Sequence, residues 1–413
     1  MHERRIPEWL RHAPAPSVRG FAVLAGAEAV ARGILISVFP VAVYDSLGDA
    51  RVVSEVYFAV GLASLVVGLL VPSLIRWVPR WWVYVAGTLM YAGGAAAGAT
   101  GLPWGAVTGL ALTTIAVVTM FVCFNSYVLD HIARVELGRF ETSRLFYSAA
   151  GWTAGPALGT LLRGWWAPAP FLIGAVAALA MLAIFLVMRL GNGKLIARTR
   201  PPSPNPFAYF GRFRAQPRLV TGWVLAVVRS CGWWVYVVYL PIFAVERGLG
   251  EALGGIVLSI TNGSLFLAPF MLRYMQRTSI RHAVRTGFLM AALLFTLATA
   301  VSGLPPLAIA CLMAGSFFLI LLDVSAGLPF LLAVKPSERT EMSAIYASYR
   351  DVSGIVTPGV AWLVLLVAPL PAVFAACGAG LLGTWHLAAR INPRLGRARI
   401  GIEPPPGRTP EPA

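Results

Sequence analysis

The sequence predicts an all-α polytopic membrane protein of about twelve transmembrane helices, built as two six-helix halves. Three observations lead to this prediction: the chain is strongly apolar, its apolar runs are long enough to cross a bilayer, and short motifs recur in its two halves. Of the 413 residues, 58% are hydrophobic and 12% are charged, whereas a soluble domain of average composition is about 25% charged. The composition therefore predicts a membrane protein.

Each predicted span is an apolar run near the length of about 20 residues that a bilayer-crossing helix needs. The runs lie near residues 21–44, 53–75, 81–100, 104–129, 142–162, 169–188, 219–245, 253–272, 283–302, 305–334, 341–367 and 370–389. Most connections between the runs are short and contain Gly, Pro and Trp, which are common at helix ends near the membrane interface. We refer to the runs as the first to the twelfth span.

One connection is long and polar, and it divides the runs into two sets of six. On this basis we expect four regions: an N-terminal six-helix half over residues 1–190, a cytoplasmic linker over 191–217, a C-terminal six-helix half over 218–392 and a cytoplasmic tail over 393–413. The tail is rich first in Arg and then in Pro, a composition that cannot bury enough apolar surface to fold. We therefore expect the tail to be disordered.

The basic residues are concentrated in the connections on one side of the predicted membrane. With the N-terminus in the cytoplasm, most of the 33 Lys and Arg residues lie in cytoplasmic segments, and the other side keeps Arg51, Arg163 and Arg247. Cytoplasmic loops of membrane proteins carry such an excess, so we expect both termini in the cytoplasm and a place in the bacterial inner membrane. Contact with membrane lipid explains the net charge of +16, and we expect no nucleic-acid partner.

Three short motifs recur in the two halves at a spacing of about 200 residues. They are Arg76 and Arg80 against Arg273 and Arg277, Arg139-x-Glu141 against Arg339-x-Glu341, and Pro40 against Pro241. Each motif occupies the same point of its six-span unit. The matches indicate a duplication, which would relate the two halves by a pseudo-twofold axis.

Two six-helix halves, a basic central loop and basic motifs after the second and eighth spans resemble the major facilitator superfamily. In the fifth span, Gly151-x-x-x-Gly155-Pro156-x-x-Gly159 is similar to the core of a motif found in antiporters of that superfamily. The resemblance covers nearly the whole chain. It implies a secondary active transporter that works by alternating access, with a binding site midway between the halves.

Six charged residues fall inside the predicted spans, where a charge costs about 2.5–3.5 kcal/mol on insertion scales. They are Glu28, Arg32, Arg229, Asp323, Arg350 and Asp351. The resemblance implies that their spans lie at the central cavity or beside it. We therefore expect these residues to bind substrate or to couple transport to protons.

The sequence leaves several pairings open for these charges. Glu28 and Arg32 lie four residues apart on one helix face and can pair with each other. The repeat also makes Glu28 equivalent to Arg229, which allows a bridge across the axis. Such a pair could either lock the helices together or exchange a proton during transport. Asp323 is either a proton or cation carrier or the partner of Arg229 or Arg350 in a structural pair.

Two further sets of residues are candidates for functional roles. The cavity-lining candidates are Trp233, Tyr236, Asn125, Asn262, Tyr346 and Tyr349, with helix packing or anchoring at the interface as the alternative role. The second set lies near the cytoplasmic ends of the spans and is expected to form a gate that closes that side. Its members are Arg76, Asp130, Arg139, Glu141, Arg273, Arg339 and Glu341.

The function we expect is proton-coupled antiport that exports a small amphipathic or aromatic molecule. Uptake of an organic anion is the first alternative, and a non-transporting member of the fold that assembles or handles lipid is the alternative from another class. The five histidines and four cysteines show no metal-ligand spacing, and the sequence has no phosphate-binding glycine loop. We therefore expect no metal, no cofactor and no enzymatic activity, and we expect a monomer.

Overall fold

The computed structural model describes residues 18–102, 104–132, 136–188, 210–334, 342 and 345–392. The predicted tail and most of the predicted linker lie outside these residues. Within them the chain folds into helices, because a backbone in hydrocarbon must satisfy its N–H and C=O groups internally. The predicted all-α polytopic fold is confirmed.

The helices form twelve spans in the described part of the chain. The first six spans comprise Val18–Ile36 with Val38–Leu47, Ala50–Trp77, Arg80–Ala99, Gly105–His131, Leu137–Trp165 and Ala169–Val187. The seventh span comprises Pro217–Trp234, the π-helical Val235–Tyr239 and Leu240–Glu246, and the eighth comprises Ala252–Gly263, the 3₁₀ turn Ser264–Leu267 and Ala268–Arg277. The ninth is Ile280–Ala300, and the tenth is Pro305–Ser325 with Leu328–Ala333. The eleventh is Tyr349–Leu365, and the twelfth is Pro371–Ala388. A short helix, Phe210–Arg214, precedes the seventh span.

Not every span is apolar along its whole length. By length and composition alone, eight helices of the described chain could cross a membrane. The third, fifth, eighth and eleventh spans are outside this set. The fifth, eighth and eleventh take part in the main contacts between the two halves. Their small and polar residues therefore face protein for part of their length, where close helix packing favours such residues.

The two halves repeat one packing pattern. In the first half, the first span packs against the fifth and sixth, and the third packs against the fourth and sixth. In the second half, the seventh span packs against the eleventh and twelfth, and the ninth packs against the tenth and twelfth. These are the equivalent pairs in a duplicated six-span unit. The halves meet mainly where the fifth span contacts the eighth and the second contacts the eleventh.

The first and fifth spans approach each other closely through glycine. A Cβ atom added to Gly155 would lie 2.5 Å from the carbonyl carbon of Gly33, and one added to Gly159 would lie 2.0 Å from the carbonyl oxygen of Ile34. A Cβ on Gly151 would likewise meet the backbone of Ala29. The glycines of the predicted antiporter-like motif therefore let two backbones touch, as small residues do between membrane helices.

The first and seventh spans are both interrupted close to a proline. The first is broken at Ser37, shortly before Pro40, and the seventh contains the π-helical turn Val235–Tyr239 before Pro241. Proline lacks the N–H that would bond to a carbonyl one turn earlier, so it disturbs the helix at that point. Because the two prolines are equivalent in the repeat, both halves carry their break at the same depth.

Replacing Gly159 with alanine tests the contact between the first and fifth spans. We expect Gly159→Ala to lower the apparent melting temperature of the purified protein, because the new methyl group meets a backbone oxygen that cannot move freely. The cost of such overpacking is about 1–3 kcal/mol. Gly164→Ala is the matched control in the same helix, since a Cβ there meets nothing within 4 Å. Equal melting temperatures for the two variants would contradict the close packing described here.

Candidate functional site

Four of the predicted in-span charges lie at a similar depth in the bundle. We call the side at which the first span begins the basic face and the other side the opposite face. Glu28, Arg32 and Arg229 follow the basic-face end of their spans by about 10 to 14 residues, and Asp323 precedes that end by a similar number. At a rise of about 1.5 Å per residue, they lie about 15–21 Å from the basic face. Arg350 and Asp351 lie at the start of the described helix of the eleventh span, next to Tyr349, whose ring centroid is 5.3 Å from the Arg229 guanidinium and 5.7 Å from that of Arg350. We call all six residues the central layer.

Glu28, the central carboxylate of the first half, pairs within its own helix. Arg32 Nη1 lies 3.1 Å from Glu28 Oε1, and the Arg32 guanidinium lies 5.2 Å from the ring centroid of Trp152 in the fifth span. Of the two pairings that the sequence left open for Glu28, the structure therefore has the one with Arg32. No ion pair between Glu28 and Arg229 is present in this conformation of the described chain.

Asp323 of the second half pairs with a residue of another span. Arg229 Nε lies 3.1 Å from Asp323 Oδ1, although its N–H is not directed at an acceptor. Trp233 Nε1 donates a hydrogen bond of 3.0 Å to Asp323 Oδ2, and the Arg229 guanidinium lies 5.3 Å from the Tyr349 ring centroid. The Arg229 side chain is only 10% exposed. A guanidinium buried to this extent needs a counter-charge, and Asp323 supplies it.

The eleventh span contributes an arginine that extends toward the other half. Arg350 Nε donates a hydrogen bond of 3.2 Å to the Tyr349 hydroxyl, and its guanidinium lies 5.9 Å from the ring centroid of Phe121 in the fourth span. Asp351 is also exposed. Successive residues of a helix point about 100° apart, so Arg350 and Asp351 face different surroundings.

The predicted cavity-lining residues have different environments. Trp233 and Tyr349 belong to the Arg229–Asp323 group. Tyr236 is buried, and its hydroxyl shares a hydrogen bond of 2.6 Å with Thr261. Tyr346 stacks on Phe330 at a centroid distance of 3.9 Å. Asn125 is half-buried in the fourth span, and Asn262 bonds to the backbone of the fifth span. Packing between helices therefore accounts for Tyr236, Tyr346 and Asn262 in this conformation.

The proline of the fifth span creates a polar contact with the eighth span. Pro156 has no N–H to offer the carbonyl of Trp152 one turn earlier, and Asn262 Nδ2 donates a 2.6 Å hydrogen bond to that oxygen. The next residue, Ala157, donates its N–H to Ser259 Oγ at 2.9 Å. The motif Gly151–Gly159 therefore packs on the first span and also joins the two halves.

A cluster of charged residues joins the halves at the opposite face. Arg163, at the end of the fifth span, forms ion pairs with Asp45 of its own half and with Glu251 of the other half. The Tyr44 hydroxyl donates a 3.2 Å hydrogen bond to Glu246 Oε1, again between halves. We call these five residues the opposite-face cluster. The Arg163–Glu251 ion pair and the Tyr44–Glu246 hydrogen bond hold the two halves together at the opposite face in the described conformation.

Comparison with known families identifies the fold. The sequence profile of the Major Facilitator Superfamily matches residues 21–358. The chain belongs to the major facilitator superfamily. It is therefore a multi-pass membrane protein with a secondary-transporter fold, and its family is one of transporters rather than enzymes. No curated protein sequence matches the chain significantly.

Solved transporters of this fold resemble the chain at low sequence identity. The nucleoside transporter NupG aligns with a TM-score of 0.65 at 13% identity, over 91% of this chain and 99% of that chain. A POT family transporter in complex with 5-aminolevulinic acid aligns with a TM-score of 0.71 at 13% identity, over 92% and 97%. A bacterial homologue of the iron transporter ferroportin, in an inward-facing state, aligns with a TM-score of 0.67 at 13% identity, over 90% and 96%. Identities this low show a shared fold and leave the substrate open.

The gate predicted at the basic face of this superfamily member is only partly described. Asp130 Oδ2 accepts a 2.6 Å hydrogen bond from Arg80 Nη1, within the first half. Arg139 and Arg273 are exposed, and Arg273 lies 5.5 Å from the Phe270 ring centroid. The remaining members lie outside the described residues or have side chains that are not described: Arg76, Glu141, Arg339 and Glu341. That gate stays a prediction.

Sequence reasoning missed three features of the site. Trp152 and Phe121 are aromatic partners of Arg32 and Arg350, but aromatic residues are frequent in all the spans, so no sequence pattern distinguished them. The opposite-face cluster did have a signal. Arg163 is one of very few basic residues predicted on a face that also carries Asp45 and Glu251. A cation among carboxylates on one surface is expected to pair with them.

Neutralising Glu251 tests the opposite-face cluster. We expect Glu251→Gln to increase the population that is open at the opposite face, because it removes the Arg163 ion pair between halves. Both carboxylates are more than a third exposed, so solvent weakens the pair, and a shift of up to about fivefold is expected. The measurement is the distance between spin labels at Leu102 and Leu304, in a background without the four native cysteines.

Asp45→Asn is the matched control for this experiment. It removes an ion pair with the same Arg163, but that pair lies within the first half. The distance distribution should therefore stay close to that of the parent protein. If Asp45→Asn and Glu251→Gln change the distribution equally, the pairing between halves does not hold this face closed.

Proposed function

We propose that the protein is a proton-coupled transporter that moves a small amphipathic or aromatic molecule by alternating access, with export as the favoured direction. The observation that carries the proposal is a carboxylate paired with a guanidinium in each half of the central layer. Glu28 contacts Arg32 beside Trp152, and Asp323 contacts Arg229 beside Trp233. Each site combines a carboxylate that can carry a proton with a guanidinium that keeps it ionised.

The coupling mechanism follows from the cost of charge in the membrane interior. A carboxylate is stable there in its ionised form while a cation remains beside it. If the spans move apart and Arg229 leaves Asp323, the carboxylate favours its neutral, protonated form; the return of Arg229 favours release of the proton. Binding and release of a proton thereby become linked to the conformation of the transporter.

The two ion pairs differ in how easily helix movement can separate their partners. Arg229 and Asp323 lie on the seventh and tenth spans, so relative movement of these helices can part them. Glu28 and Arg32 share one helix, and rigid movement of that helix leaves them together. Asp323 is therefore our first candidate for the proton carrier, and Glu28 is the second.

The orientation that we propose places the basic face in the cytoplasm. The excess of Lys and Arg on that face supports it, with both termini cytoplasmic and the protein in a bacterial inner membrane. Residues 1–190 and 218–392 would then be the two transport halves of a monomer, joined by a cytoplasmic linker. With the opposite face closed by Arg163 and Glu251, the described conformation would be inward-facing. The antiporter-like Gly155-Pro156 motif supports export.

Uptake of an organic anion is the second candidate function. The observation that favours it is the presence of three guanidinium groups in the central layer, those of Arg32, Arg229 and Arg350. A guanidinium binds planar carboxylates with two parallel hydrogen bonds. Transport measured in both directions separates this candidate from export.

Neutralising each central carboxylate tests the coupling proposal. We expect Asp323→Asn to abolish solute-dependent proton movement in proteoliposomes that contain the pH dye pyranine, while solute exchange at equal pH persists. The same result for Glu28→Gln instead would assign the carrier role to the first half. The solutes to be added are aromatic acids, aromatic amines and neutral aromatic compounds.

Glu55→Gln serves as the control for loss of a carboxylate, because Glu55 is exposed near the opposite face and lies outside the central layer. It should retain proton movement. If Asp323→Asn and Glu28→Gln both couple solute to protons as the parent does, neither residue carries the proton. If no solute moves protons in the parent protein, proton coupling itself is excluded.

A further inference from the structure

Not every charge of the central layer is in an ion pair. Arg32 has Glu28, and Arg229 has Asp323. Among the described residues, no carboxylate lies within ion-pairing distance of Arg350, whose Nε donates a hydrogen bond to the Tyr349 hydroxyl. Asp323 and Asp351 act on Arg350 only through longer-range attraction, because neither carboxylate lies within ion-pairing distance of it. An arginine held in this way still has room for a closer counter-ion. It is the kind of group that an anionic ligand stabilises.

The position of Arg350 is suited to a ligand rather than to a structural pair. Its side chain is exposed, in contrast to the buried Arg229. Only its Nε takes part in a hydrogen bond among the described residues, so the N–H groups of the two terminal nitrogens remain for a ligand. These groups form a planar fork that matches the two oxygens of a carboxylate.

Aromatic rings from both halves flank this guanidinium. The Arg350 Cζ atom lies 5.7 Å from the ring centroid of Tyr349 in its own half and 5.9 Å from that of Phe121 in the other half. Phe121 is 38% exposed, so part of its side chain is not covered by protein. A flat aromatic group bound next to the arginine would contact rings of both halves, at the offset or edge-to-face distances that aromatic pairs prefer.

We infer that the central layer binds a small aromatic carboxylate, with its carboxylate on Arg350 and its ring against Phe121 and Tyr349. This inference rests on the proposed transport function and names the substrate class. A monoanion fits better than a phosphate ester because Arg350 is the one guanidinium of the described layer outside an ion pair and the carboxylate of Asp351 is its neighbour in the chain, whereas a phosphate carries up to two negative charges. A ligand bound here contacts both halves, so its affinity depends on the distance between them.

Binding of matched ligands to the purified full-length protein tests the inference. The probes are phenylacetate, its primary amide phenylacetamide, and cyclohexylacetate, titrated calorimetrically in detergent. We expect phenylacetate to bind at least about tenfold more tightly than phenylacetamide, because the amide lacks the charge that Arg350 recognises. Cyclohexylacetate should bind more weakly than phenylacetate, because it keeps the charge and lacks the aromatic ring.

Variants of the site provide the second arm. Arg350→Gln should reduce phenylacetate affinity by about tenfold or more and remove the preference for acid over amide. Arg350→Lys should restore part of that preference because it keeps the charge but loses the planar fork. Phe121→Leu should reduce the preference for phenylacetate over cyclohexylacetate. Arg247→Gln is the matched control, since Arg247 also lies 5.5 Å from a phenylalanine ring but at the opposite face; its affinities should equal those of the parent.

The outcomes separate this inference from the proposed function. The inference is overturned if phenylacetate does not bind, if phenylacetamide binds equally well, or if Arg350→Gln retains the preference for the acid. Transport of amines or neutral aromatic compounds without acids would overturn the inference and leave the proposed function standing. Failure of every compound to exchange in proteoliposomes would instead reject the proposed function.

Discussion

The close approach of the fifth span to its neighbours is the constraint on which the other features of this structure depend. Its glycines bring its backbone into contact with the first span, and its proline frees a carbonyl that Asn262 of the other half binds. Its last turn supplies Arg163 to the opposite-face cluster. One helix thus links the interior of the first half to the interface with the second. Backbone contacts of this kind allow little adjustment, because carbonyl groups cannot change rotamer.

The charges of the central layer are arranged on this scaffold. Trp152 lies within the glycine-rich segment of the fifth span, where it contacts Arg32 of the first span. The spacing between those spans therefore determines where the Arg32 guanidinium lies. In the second half, Arg229 depends on a carboxylate from another helix. The two carboxylate–guanidinium pairs are similar in composition but respond differently to helix movement. One pair lies within a single helix, and the other is divided between two helices.

The contacts between halves fall into two chemical kinds. Near the opposite face they are ion pairs and hydrogen bonds, as between Arg163 and Glu251 and between Tyr239 and Ser54. Deeper in the bundle they are contacts of small residues, such as Gly61 with the backbone of Gly354. Both kinds are individually weak and can re-form elsewhere, which suits an interface that must open. The Arg163–Asp45 pair lies within one half and can persist when the halves separate.

The membrane class, the number of spans, the duplication and the charges inside the spans could all be read from the amino-acid sequence. Each of these depends on local quantities, namely apolar length, the spacing of prolines such as Pro40 and Pro241, and the rarity of charge in an apolar run. The pairing of those charges and the burial of Tyr236 became visible only in the folded chain. For Glu28, the repeat permitted both Arg32 and Arg229, and the choice depends on which side chains helix packing brings within reach. Distances between helices are not local quantities, because they result from all contacts of both halves together.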